Sequence, residues 1–506
     1  MRVPYIWLPS RLPQDRDFNT MPAELRRLFS RVVAVMLLTV AWSSASPTSG
    51  AERARVIVID GQFGDWKGVK FSDRKGWQVG LAEGPRYLYL HFRQPEARIL
   101  QAAGSDVVLL LDTDGKASTG KKIFGMGADI EWNFGSRSGK TFPGGVARGA
   151  TPADLGLVIA PTVGSRRIEI ALSTPDGRGG VPTFGKKVRG AITTPLGANG
   201  LADEHQKFNY RRGKNRVEEP PLIELERPEG TLRVINYNIE RDGLFASSRH
   251  AAYRRIFRAI EPDIVGFQEI FVNPIAGAGG LLDQWIPLDT GRWHTAAAGA
   301  DAGIASRFPI DSTWLVTPGV DAYLVDTRAT LGTRALVVVV SLKCCDDPEQ
   351  IRKTQIDEIL HFWRDAITPG GAVSLPADTP ILMIGDMNLV GDPTEVSALR
   401  EGIPFSQTGG GPFDPDWGRG PLLDVLPRQT DNPMAYTWRS DGNTGGFAPG
   451  RLDYLFLTPS VLDVARAFAL HSSSMSNKRL REHGLKRSDT AVASDHLPIV
   501  VDVTSR

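Results

Sequence analysis

The chain has 506 residues, of which 41% are hydrophobic and 23% are charged, and its formal net charge is +2. This length exceeds that of one ordinary core and indicates two domains, and the composition excludes a fibrous or a wholly disordered protein. The charge is uneven: residues 1–230 carry 33 basic and 24 acidic side chains, and residues 231–506 carry 26 and 33. The acidic C-terminal half is unsuited to holding a long polyanion by charge alone, unless divalent cations offset its carboxylates.

The N-terminal residues are typical of a secretory signal peptide. Three arginines between positions 26 and 31 precede an apolar run over 32–42, which small residues follow. This run is shorter than the roughly 20 residues that a membrane span requires. We therefore expect residues 1–51 to be a signal peptide, with Met21 as an alternative start. The mature protein is then secreted or periplasmic and has no transmembrane anchor; an uncleaved membrane anchor is the alternative interpretation.

Short apolar runs separated by Gly, Pro and Asp turns characterise the next region, residues 52–206. The runs are 56–59, 88–92, 107–111 and 168–172. Their spacing predicts an all-β domain, an antiparallel β-sandwich. A basic stretch and then a Glu/Pro-rich stretch occupy residues 207–230, which we interpret as a linker.

Acidic turns and tryptophans recur within the predicted sandwich. The motifs lie at 59–66, at 111–115 with 119–120, and at 127–132. Together they resemble the family-nine carbohydrate-binding modules, and the resemblance implies a structural Ca²⁺ site, a sugar-stacking surface and hence a polysaccharide partner. The implied calcium ligands are Asp112, Asp114 and Asp129, and the implied stacking residues are Trp66 and Trp132. The alternative is an Asp-Gly turn with buried tryptophans in a scaffold that binds no ligand.

Strands alternate with helices from residue 231 to residue 506. The predicted strands are 232–238, 263–269, 336–342 and 381–384, and the predicted helices are 251–260 and 348–363. This alternation predicts an α/β layered domain over 231–506, with its catalytic groups gathered at one edge of the sheets.

Polar residues stand where these apolar runs begin or end. They are Asn238, the pair 268–269, Gly-Asp-Met-Asn at 385–388, Arg-Leu-Asp-Tyr at 451–454 and Ser-Asp-His at 494–496. Each motif is weak alone, because Asp386 and Asn388 after a glycine are common turn formers and Asp453 could pair with Arg451 on the surface. In this order, the five motifs resemble the endonuclease/exonuclease/phosphatase superfamily. The resemblance implies its deoxyribonuclease-I-like fold, a four-layer α/β sandwich.

The resemblance and the chemistry of phosphodiester hydrolysis together assign roles. Hydrolysis requires charge neutralisation, an activated water and a stabilised leaving group. Hard oxygen ligands suit Mg²⁺ or Mn²⁺. The predicted metal ligands are Glu269, Asn238 and Asp495. By resemblance, His496 pairs with Asp453, Asp386 orients or deprotonates the attacking water, and Asn388 holds the phosphate or that water. Asp386 and His496 could exchange roles, and Asn236 is interpreted as a strand residue that points away from the site.

One position departs from the family pattern. Many members have a His-Leu pair at the end of a strand, where this chain has Ser341 followed by leucine. Serine cannot be a cation, so phosphate stabilisation falls short by about 1 to 3 kcal/mol unless Lys343 or another cation substitutes. Ser341 and Lys343 are therefore the further phosphate-binding candidates. Arg352 and Gln355 in the following helix are interpreted as structural.

The substrate class is narrowed by a few residues. Ile384 and Tyr454 stand where the inositol-polyphosphate phosphatases usually have tryptophan and arginine, which disfavours that branch. A basic segment over 478–487 could meet a nucleic-acid backbone or could be a solvated loop. We therefore predict a nuclease. The alternatives are a sphingomyelinase-like or other small-molecule phosphoesterase, although no exposed apolar segment is evident, and a binding protein whose catalysis Ser341 has weakened.

The chain has two cysteines, the neighbours Cys344 and Cys345. Neighbouring cysteines cannot form an unstrained disulfide, because the required Cα separation and dihedral angle are out of reach. Two half-buried free thiols are therefore favoured over a strained vicinal bridge.

Overall fold

The computed structural model describes residues 55–74, 76–174, 182–193, 205–345, 348–439 and 446–506. The predicted signal peptide lies outside these residues. Within the described ranges, no helix has the length and apolar character needed to cross a membrane. Arg55–Arg506 forms one compact unit.

Antiparallel strands build the N-terminal domain, as the alternating apolar runs predict. Strands β1 to β13 are Phe71–Arg74, Trp77–Glu83, Tyr87–Arg98, Val108–Asp112, Lys121–Ile123, Met126–Ala128, Ile130–Asn133, Ser138–Thr141, Arg148–Ala150, Val158–Ala160, Ser165–Ser173, Lys187–Thr193 and His205–Arg211, and helix α1 is Pro152–Leu155. One sheet has the order β1-β2-β3-β11-β10, the second has the order β13-β12-β4-β7-β8-β9, and β5 pairs with β6. Apolar side chains of both sheets, such as Phe92 and Leu109, share one core. The all-β prediction for this domain is confirmed.

The stretch predicted as a linker begins inside a strand. Residues 207–211 belong to β13, which pairs with β12 from Thr193↔His205 to Lys187↔Arg211. Along β13, Gln206, Phe208 and Tyr210 are buried, and the residues between them are exposed. The basic side chains of this stretch therefore face solvent from the edge of the sandwich, which is why their composition resembles that of a linker.

The run over 56–59, predicted as a strand, connects the two domains instead. Ile59 forms a single parallel bridge with Met434. Its backbone NH donates to the carbonyl of Pro433 at 2.9 Å, and its carbonyl accepts from the NH of Ala435 at 3.1 Å. Ile57 and Ile59 are buried, Ile59 where the two domains meet, and the run does not extend a sheet of the sandwich.

The C-terminal domain contains two mixed six-stranded sheets. Strands β14 to β25 are Leu232–Asn238, Ile264–Ile270, His294–Ala296, Asp301–Ser306, Ile310–Thr317, Val320–Val325, Ala335–Ser341, Ile381–Asp386, Leu423–Asp424, Asp453–Leu457, Leu462–Ala469 and Ile499–Ser505. Helices α2 to α8 are His250–Ile260, Ile275–Trp285, Arg328–Leu331, Glu349–Ile367, Pro393–Glu401, Asn477–Glu482 and Asp489–Ala493. The sheet orders are β16-β17-β15-β14-β25-β24 and β18-β19-β20-β21-β23-β22.

Central strands such as β14, β20 and β21 are buried along their whole length because both faces of each sheet are covered there. Alternate residues of the two sheets, such as Val234 and Val339, meet in a core between them. The alternate residues on the opposite, outer face of the first sheet, such as Ile235, pack against α2 and α3. The outer face of the second sheet packs against α5. Helix α2 buries side chains at helical spacing, namely Ala252, Tyr253, Ile256, Phe257 and Ile260. The order helix, sheet, sheet, helix is the predicted four-layer α/β sandwich, and this prediction is confirmed.

A buried ion pair holds β14 against β25. Asn238 ends the first of these strands, and His496 precedes the second. Arg233 Nε lies 2.6 Å from Asp502 Oδ1, and Nη2 lies 2.8 Å from Oδ2. The remaining nitrogen, Nη1, donates to the carbonyls of Leu225 and Ile260. Leaving one charge of such a buried pair uncompensated costs about 3 to 5 kcal/mol, so the pair strongly opposes separation of the strands.

Candidate active site

Strand ends from both sheets meet at one edge of the C-terminal domain. Asn238 ends β14, and Glu269 lies near the end of the parallel strand β15. In the second sheet, Asp386 at the end of β21 pairs with Asp453 at the start of β23. His496 lies just before β25, which pairs with β14. Because the sheets pack face to face, residues that are far apart in sequence converge on one site.

A buried carboxylate holds the ring of His496. Nδ1 of His496 lies 2.8 Å from Oδ2 of Asp453, and both side chains are buried. Asn236 Nδ2 donates to Oδ1 of Asp453 at 3.0 Å. The hydroxyl of Thr437 accepts a hydrogen bond from the backbone NH of Asp453. The predicted pairing of His496 with Asp453 is confirmed.

Two interpretations of the sequence are wrong at this pair. Asn236 does not point away from the site, because it binds Asp453. Asn236 and Asn238 are two residues apart on one strand and so share a face, a periodicity that could have identified Asn236. The alternative ion pair between Asp453 and Arg451 does not form, because the guanidinium of Arg451 binds Asp424.

Asp386 lies on the other side of the His496 ring. Its Oδ2 is 3.8 Å from Nε2 of His496. Burial raises the pKa of Asp386 to about 7, although the charge of His496 acts in the opposite direction. Burial alone would lower the pKa of His496, but the charges of Asp453 and Asp386 and the hydrogen bond to Asp453 raise it to about 10. His496 is therefore an imidazolium at neutral pH, held between two carboxyl groups.

Asn238 connects Asp386 with Glu269. Its Nδ2 donates to Oε1 of Glu269 and to Oδ2 of Asp386, both at 3.0 Å. Its Oδ1 accepts a hydrogen bond from the backbone NH of Glu240 at 2.9 Å. Two acidic side chains thus converge on a single amide group. The predicted metal ligands Asn238 and Glu269 therefore lie beside Asp386. The sequence predicts that Asp386 orients or deprotonates the attacking water.

Asp495 is oriented by a different neighbour. Its Oδ2 accepts a hydrogen bond from Nε1 of Trp438 at 3.0 Å. Among the described residues, no hydrogen bond joins Asp495 to Asn238 or Glu269. The turn that carries Asp495 is nevertheless tied to the site, because the hydroxyl of Ser494 donates to the carbonyl of Asn238 at 2.8 Å.

These side chains fit a hard divalent cation. Oxygens of Asp386 and Asp453 lie within 4.8 Å of each other and of the His496 ring. Glu269 and Asp386 direct carboxylate oxygens at the amide of Asn238 from two sides. Carboxylate oxygens are donors that cations of the Mg²⁺ class prefer, and the amide oxygen of Asn238 itself faces the backbone NH of Glu240. The site can therefore hold a metal ion beside a protonated imidazole.

Two of the three predicted phosphate-binding residues, Ser341 and Asn388, have side chains engaged with the protein. Ser341 is buried, and its hydroxyl donates to Oδ2 of Asp301 at 3.0 Å. Asn388, whose φ is 48°, donates from Nδ2 to the carbonyl of Leu342 at 3.0 Å. The hydroxyl hydrogen of Ser341 is thus directed at a carboxylate and not at a phosphate position. Asp301 belongs to none of the motifs, and sequence reasoning missed it.

The loop after β20 is exposed beside these groups. The side chain of Lys343 is exposed, and its backbone NH donates to Oε1 of Gln355 at 2.9 Å. Arg352 is buried against the carboxylate of Glu395, with Nε 3.1 Å from both oxygens. The structural interpretation of Gln355 and Arg352 is confirmed. The vicinal cysteines are free thiols as expected, but they are exposed and not half-buried.

The three acidic residues of the sandwich lie together, with ligand oxygens of Asp112, Asp114 and Asp129 within 4.8 Å of one another. Asp112 is fully buried, and Nε of Arg189 lies 2.8 Å from its Oδ2. Asp129 accepts hydrogen bonds from the backbone NH and the hydroxyl of Thr113. Arg189 therefore neutralises the most buried carboxylate of the group, and calcium binding stays a prediction.

The two tryptophans implied to stack on sugar are buried. Trp66 is 2% exposed, and its Nε1 donates to Oε2 of Glu169 at 2.9 Å. Trp132 is 1% exposed and lies in the core of the sandwich. Neither indole offers a ring face to a ligand, so the stacking prediction is wrong for both. Buried tryptophans in a scaffold were the alternative, and the structure agrees with it.

The basic segment over 478–487 is partly structural. Arg479 is buried, and its Nη1 lies 2.7 Å from Oδ1 of Asp431. Arg487 donates to the backbone carbonyls of Ser473 and Met475, both at 2.9 Å. These two arginines stabilise the local fold, and the exposed cations of the segment are Lys478, Arg481 and Lys486.

Comparison with known proteins gives one family and a set of similar folds. The signature of the Endonuclease/Exonuclease/phosphatase family matches residues 235–496. No curated protein sequence matches the chain. One similar solved structure is D. rerio TDP2 with a single-strand DNA product, at 17% identity and a TM-score of 0.35, covering 54% of this chain and 98% of that chain. A second is the catalytic domain of human nocturnin with a bound sulfate, at 15% identity and a TM-score of 0.34, covering 56% and 97%. A third is a mutant beta toxin from Staphylococcus aureus with magnesium ions, at 15% identity and a TM-score of 0.34, covering 54% and 99%.

Proposed function

Because this chain belongs to the Endonuclease/Exonuclease/phosphatase family and is therefore a phosphoric ester hydrolase, we propose that it is a divalent-metal-dependent phosphodiesterase, and specifically a nuclease. The observation that carries the proposal is the buried His496–Asp453 pair, which faces Asp386 at 3.8 Å. A protonated imidazole opposite a carboxyl group supplies an acid and a base for one in-line displacement. Export of the protein, which the N-terminal pattern predicts, is part of the proposal.

The proposed roles follow from the contacts of each group. Asp453 holds the Nδ1 proton of His496, so Nε2 is the nitrogen that faces the substrate. Nε2–H gives its proton to the leaving oxygen or stabilises a phosphoryl oxygen. Asp386, with a pKa of about 7, orients the attacking water and accepts its proton near neutral pH. If Asp386 and His496 exchange the roles of acid and base, both residues remain essential for activity.

The residues that would hold the cation are Glu269, Asn238 and Asp495, with Mg²⁺ or Mn²⁺ as the ion. When bound, such an ion neutralises negative charge on the phosphoryl oxygens and lowers the pKa of bound water. Around it, Asn238 fixes the carboxylates of Glu269 and Asp386 relative to each other. Asn388 is held by Leu342 at the same edge, where it can bind the phosphate or the attacking water.

An assay on two substrates tests the proposal. Purified protein is incubated with plasmid DNA and with bis(p-nitrophenyl) phosphate, in magnesium, in manganese and in EDTA. We expect both substrates to be hydrolysed with metal, EDTA to stop the reaction, and excess metal to restore it. Hydrolysis of the small ester without cleavage of DNA would favour a small-molecule phosphoesterase. No metal-dependent turnover of any phosphoester would overturn the proposal and favour a binding protein with weakened catalysis.

A phospholipid phosphodiesterase of the sphingomyelinase type is the second candidate, because an apolar tip stands beside the metal-ligand position. Phe271 is 53% exposed and Val272 is 86% exposed, just after Glu269 in the chain. The carboxylate of Asp242 accepts hydrogen bonds from the backbone NH groups of both residues and of Asn273. A rigid, exposed apolar tip at the mouth of a site suits a substrate at a lipid surface.

Removal of this tip separates the two candidates. Burying one such side chain in lipid stabilises binding by about 1.5 to 3 kcal/mol, so the double variant Phe271→Ser/Val272→Ser should weaken binding to sphingomyelin vesicles by tenfold or more. Hydrolysis of soluble bis(p-nitrophenyl) phosphate should change little. The control is Val146→Ser, which removes a 63% exposed side chain from the sandwich. Equal vesicle binding by the double variant and the control would rule out the lipid candidate.

A further inference from the structure

Glu269 lies at an irregular point of the first sheet. Gln268 pairs with Ala302 and Ile270 pairs with Asp301, so Glu269 is an extra residue on β15 opposite β17. Its φ is 64°, in the left-handed region that a long L side chain seldom adopts. A bulge of this kind turns a side chain in a new direction and takes its backbone out of the regular ladder. The NH of Glu269 therefore needs a partner outside the ladder.

Asp301 is that partner. Its Oδ1 accepts a hydrogen bond from the NH of Glu269 at 3.0 Å. Its Oδ2 accepts from the hydroxyl of Ser341, also at 3.0 Å. Ser341 is itself fixed at the end of β20, because its backbone NH donates to the carbonyl of Gly319 at 2.7 Å. The two oxygens of Asp301 thus link the second sheet to the backbone of Glu269.

The carboxylate of Glu269 is held separately from its backbone. Oε1 accepts from Nδ2 of Asn238 at 3.0 Å, and Oε2 accepts from the backbone NH of Arg241 at 2.7 Å. These two contacts aim the carboxylate towards Asp386. The two contacts form only while the backbone of Glu269 keeps its left-handed conformation. Asp301 stabilises that backbone conformation through the NH of Glu269.

We propose that Asp301, held by Ser341, is a positioning residue that keeps Glu269 in the conformation in which it binds a divalent cation. This inference rests on the proposed function, in which Glu269 is a metal ligand. It gives Ser341 a different role from the predicted contact with phosphate: the serine hydroxyl orients Asp301. Because supporting residues set the orientation of a ligand, loss of Asp301 should weaken cation binding more than it slows the chemical step.

Manganese binding to the full-length protein without substrate, followed by electron paramagnetic resonance, tests the proposal. Asp301→Ala should raise the dissociation constant by about 10- to 100-fold, the usual effect of losing a residue that supports a metal ligand. Asp301→Asn should bind manganese nearly as well as the wild type. Its Oδ1 can still accept from Glu269, and the hydroxyl of Ser341 can turn to accept from the new amide. Ser341→Ala should also weaken manganese binding, but by less than Asp301→Ala. A raised manganese concentration should restore turnover in both alanine variants.

Asp365→Ala is the matched control. Asp365 is also a partly buried carboxylate that accepts from backbone NH groups, those of Ala372 and Val373, but it holds the loop after α5. Its loss should leave manganese binding unchanged. Wild-type affinity in Asp301→Ala would overturn the inference, and so would equal losses in Asp301→Asn and Asp301→Ala, because charge and not position would then matter. If Asp301→Ala fails to fold, manganese binding by Asp301→Asn and Ser341→Ala tests the inference. A wild-type protein that binds no manganese and hydrolyses no phosphoester would instead overturn the proposed function.

Discussion

Replacing Asp453 with asparagine is expected to lower kcat by about 10²- to 10⁴-fold while the fold is kept, the range typical of losing a positioned acid or base. Oδ1 of Asp453 accepts from Asn236, and Oδ2 faces Nδ1 of His496. An asparagine that keeps its oxygen towards Asn236 presents its NH₂ group to Nδ1. Nδ1 must then become an acceptor, so the ring is neutral and carries its proton on Nε2. The imidazolium that the proposed mechanism requires is lost, and turnover of bis(p-nitrophenyl) phosphate measures the effect.

The pH dependence of the same variant gives an independent check. The charge of Asp453 is the largest of the influences that raise the pKa of His496 to about 10. Without that charge the pKa is lower, so the ring loses its proton at lower pH and kcat should decline at lower pH than in the wild type. Asp463→Asn, which alters an exposed carboxylate 3.5 Å from Arg506, should match the wild type. An unchanged alkaline limit in Asp453→Asn would contradict the role given to the pair.

The strand-end residues could be predicted because of the way the sheets are covered. A strand buried on both faces is an uninterrupted apolar run, and a polar residue at its end is conspicuous. Asp386 follows such a run, and Asn238 ends another. The same runs, alternating with helical segments, predict the layered architecture. The strand-end residues of the candidate site and the fold of this domain could therefore be predicted from one physical pattern.

The residues that support the site could not be predicted from apolar runs, because their roles depend on contacts between segments that are distant in sequence. Asp301 opens β17 among small residues, and its contact with Glu269 exists only because β15 has a bulge. In the sandwich, Arg189 reaches Asp112 from 77 residues further along the chain, and Glu169 reaches Trp66 from 103. Local composition cannot show whether an acidic loop already has a counter-ion or whether a tryptophan is buried.

Replacing Glu269 with glutamine is expected to remove metal-dependent turnover. A bound cation stabilises the transition state by several kcal/mol, and each 1.36 kcal/mol is a factor of ten, so the loss is on the order of 10³-fold. Glutamine can keep its oxygen towards Nδ2 of Asn238, but its NH₂ group then faces the backbone NH of Arg241. The side chain thus loses its charge and one of its two hydrogen bonds. In contrast to Asp301→Ala, raised manganese should not restore activity, because the ligand itself is changed.

Glu261→Gln is the matched control for this variant. Glu261 also has a left-handed backbone, with φ of 52°, but it is exposed at the end of α2. Its replacement should leave both turnover and manganese binding unchanged, which separates the loss of a ligand from the strain of a left-handed glutamine. Turnover and binding are measured over one manganese titration for both variants. If high manganese returns Glu269→Gln to wild-type turnover, the principal ligands are other acids of the site, such as Asp386 or Asp495. The assigned ligand set would then be wrong, while phosphoester hydrolysis by His496 and Asp453 would stand.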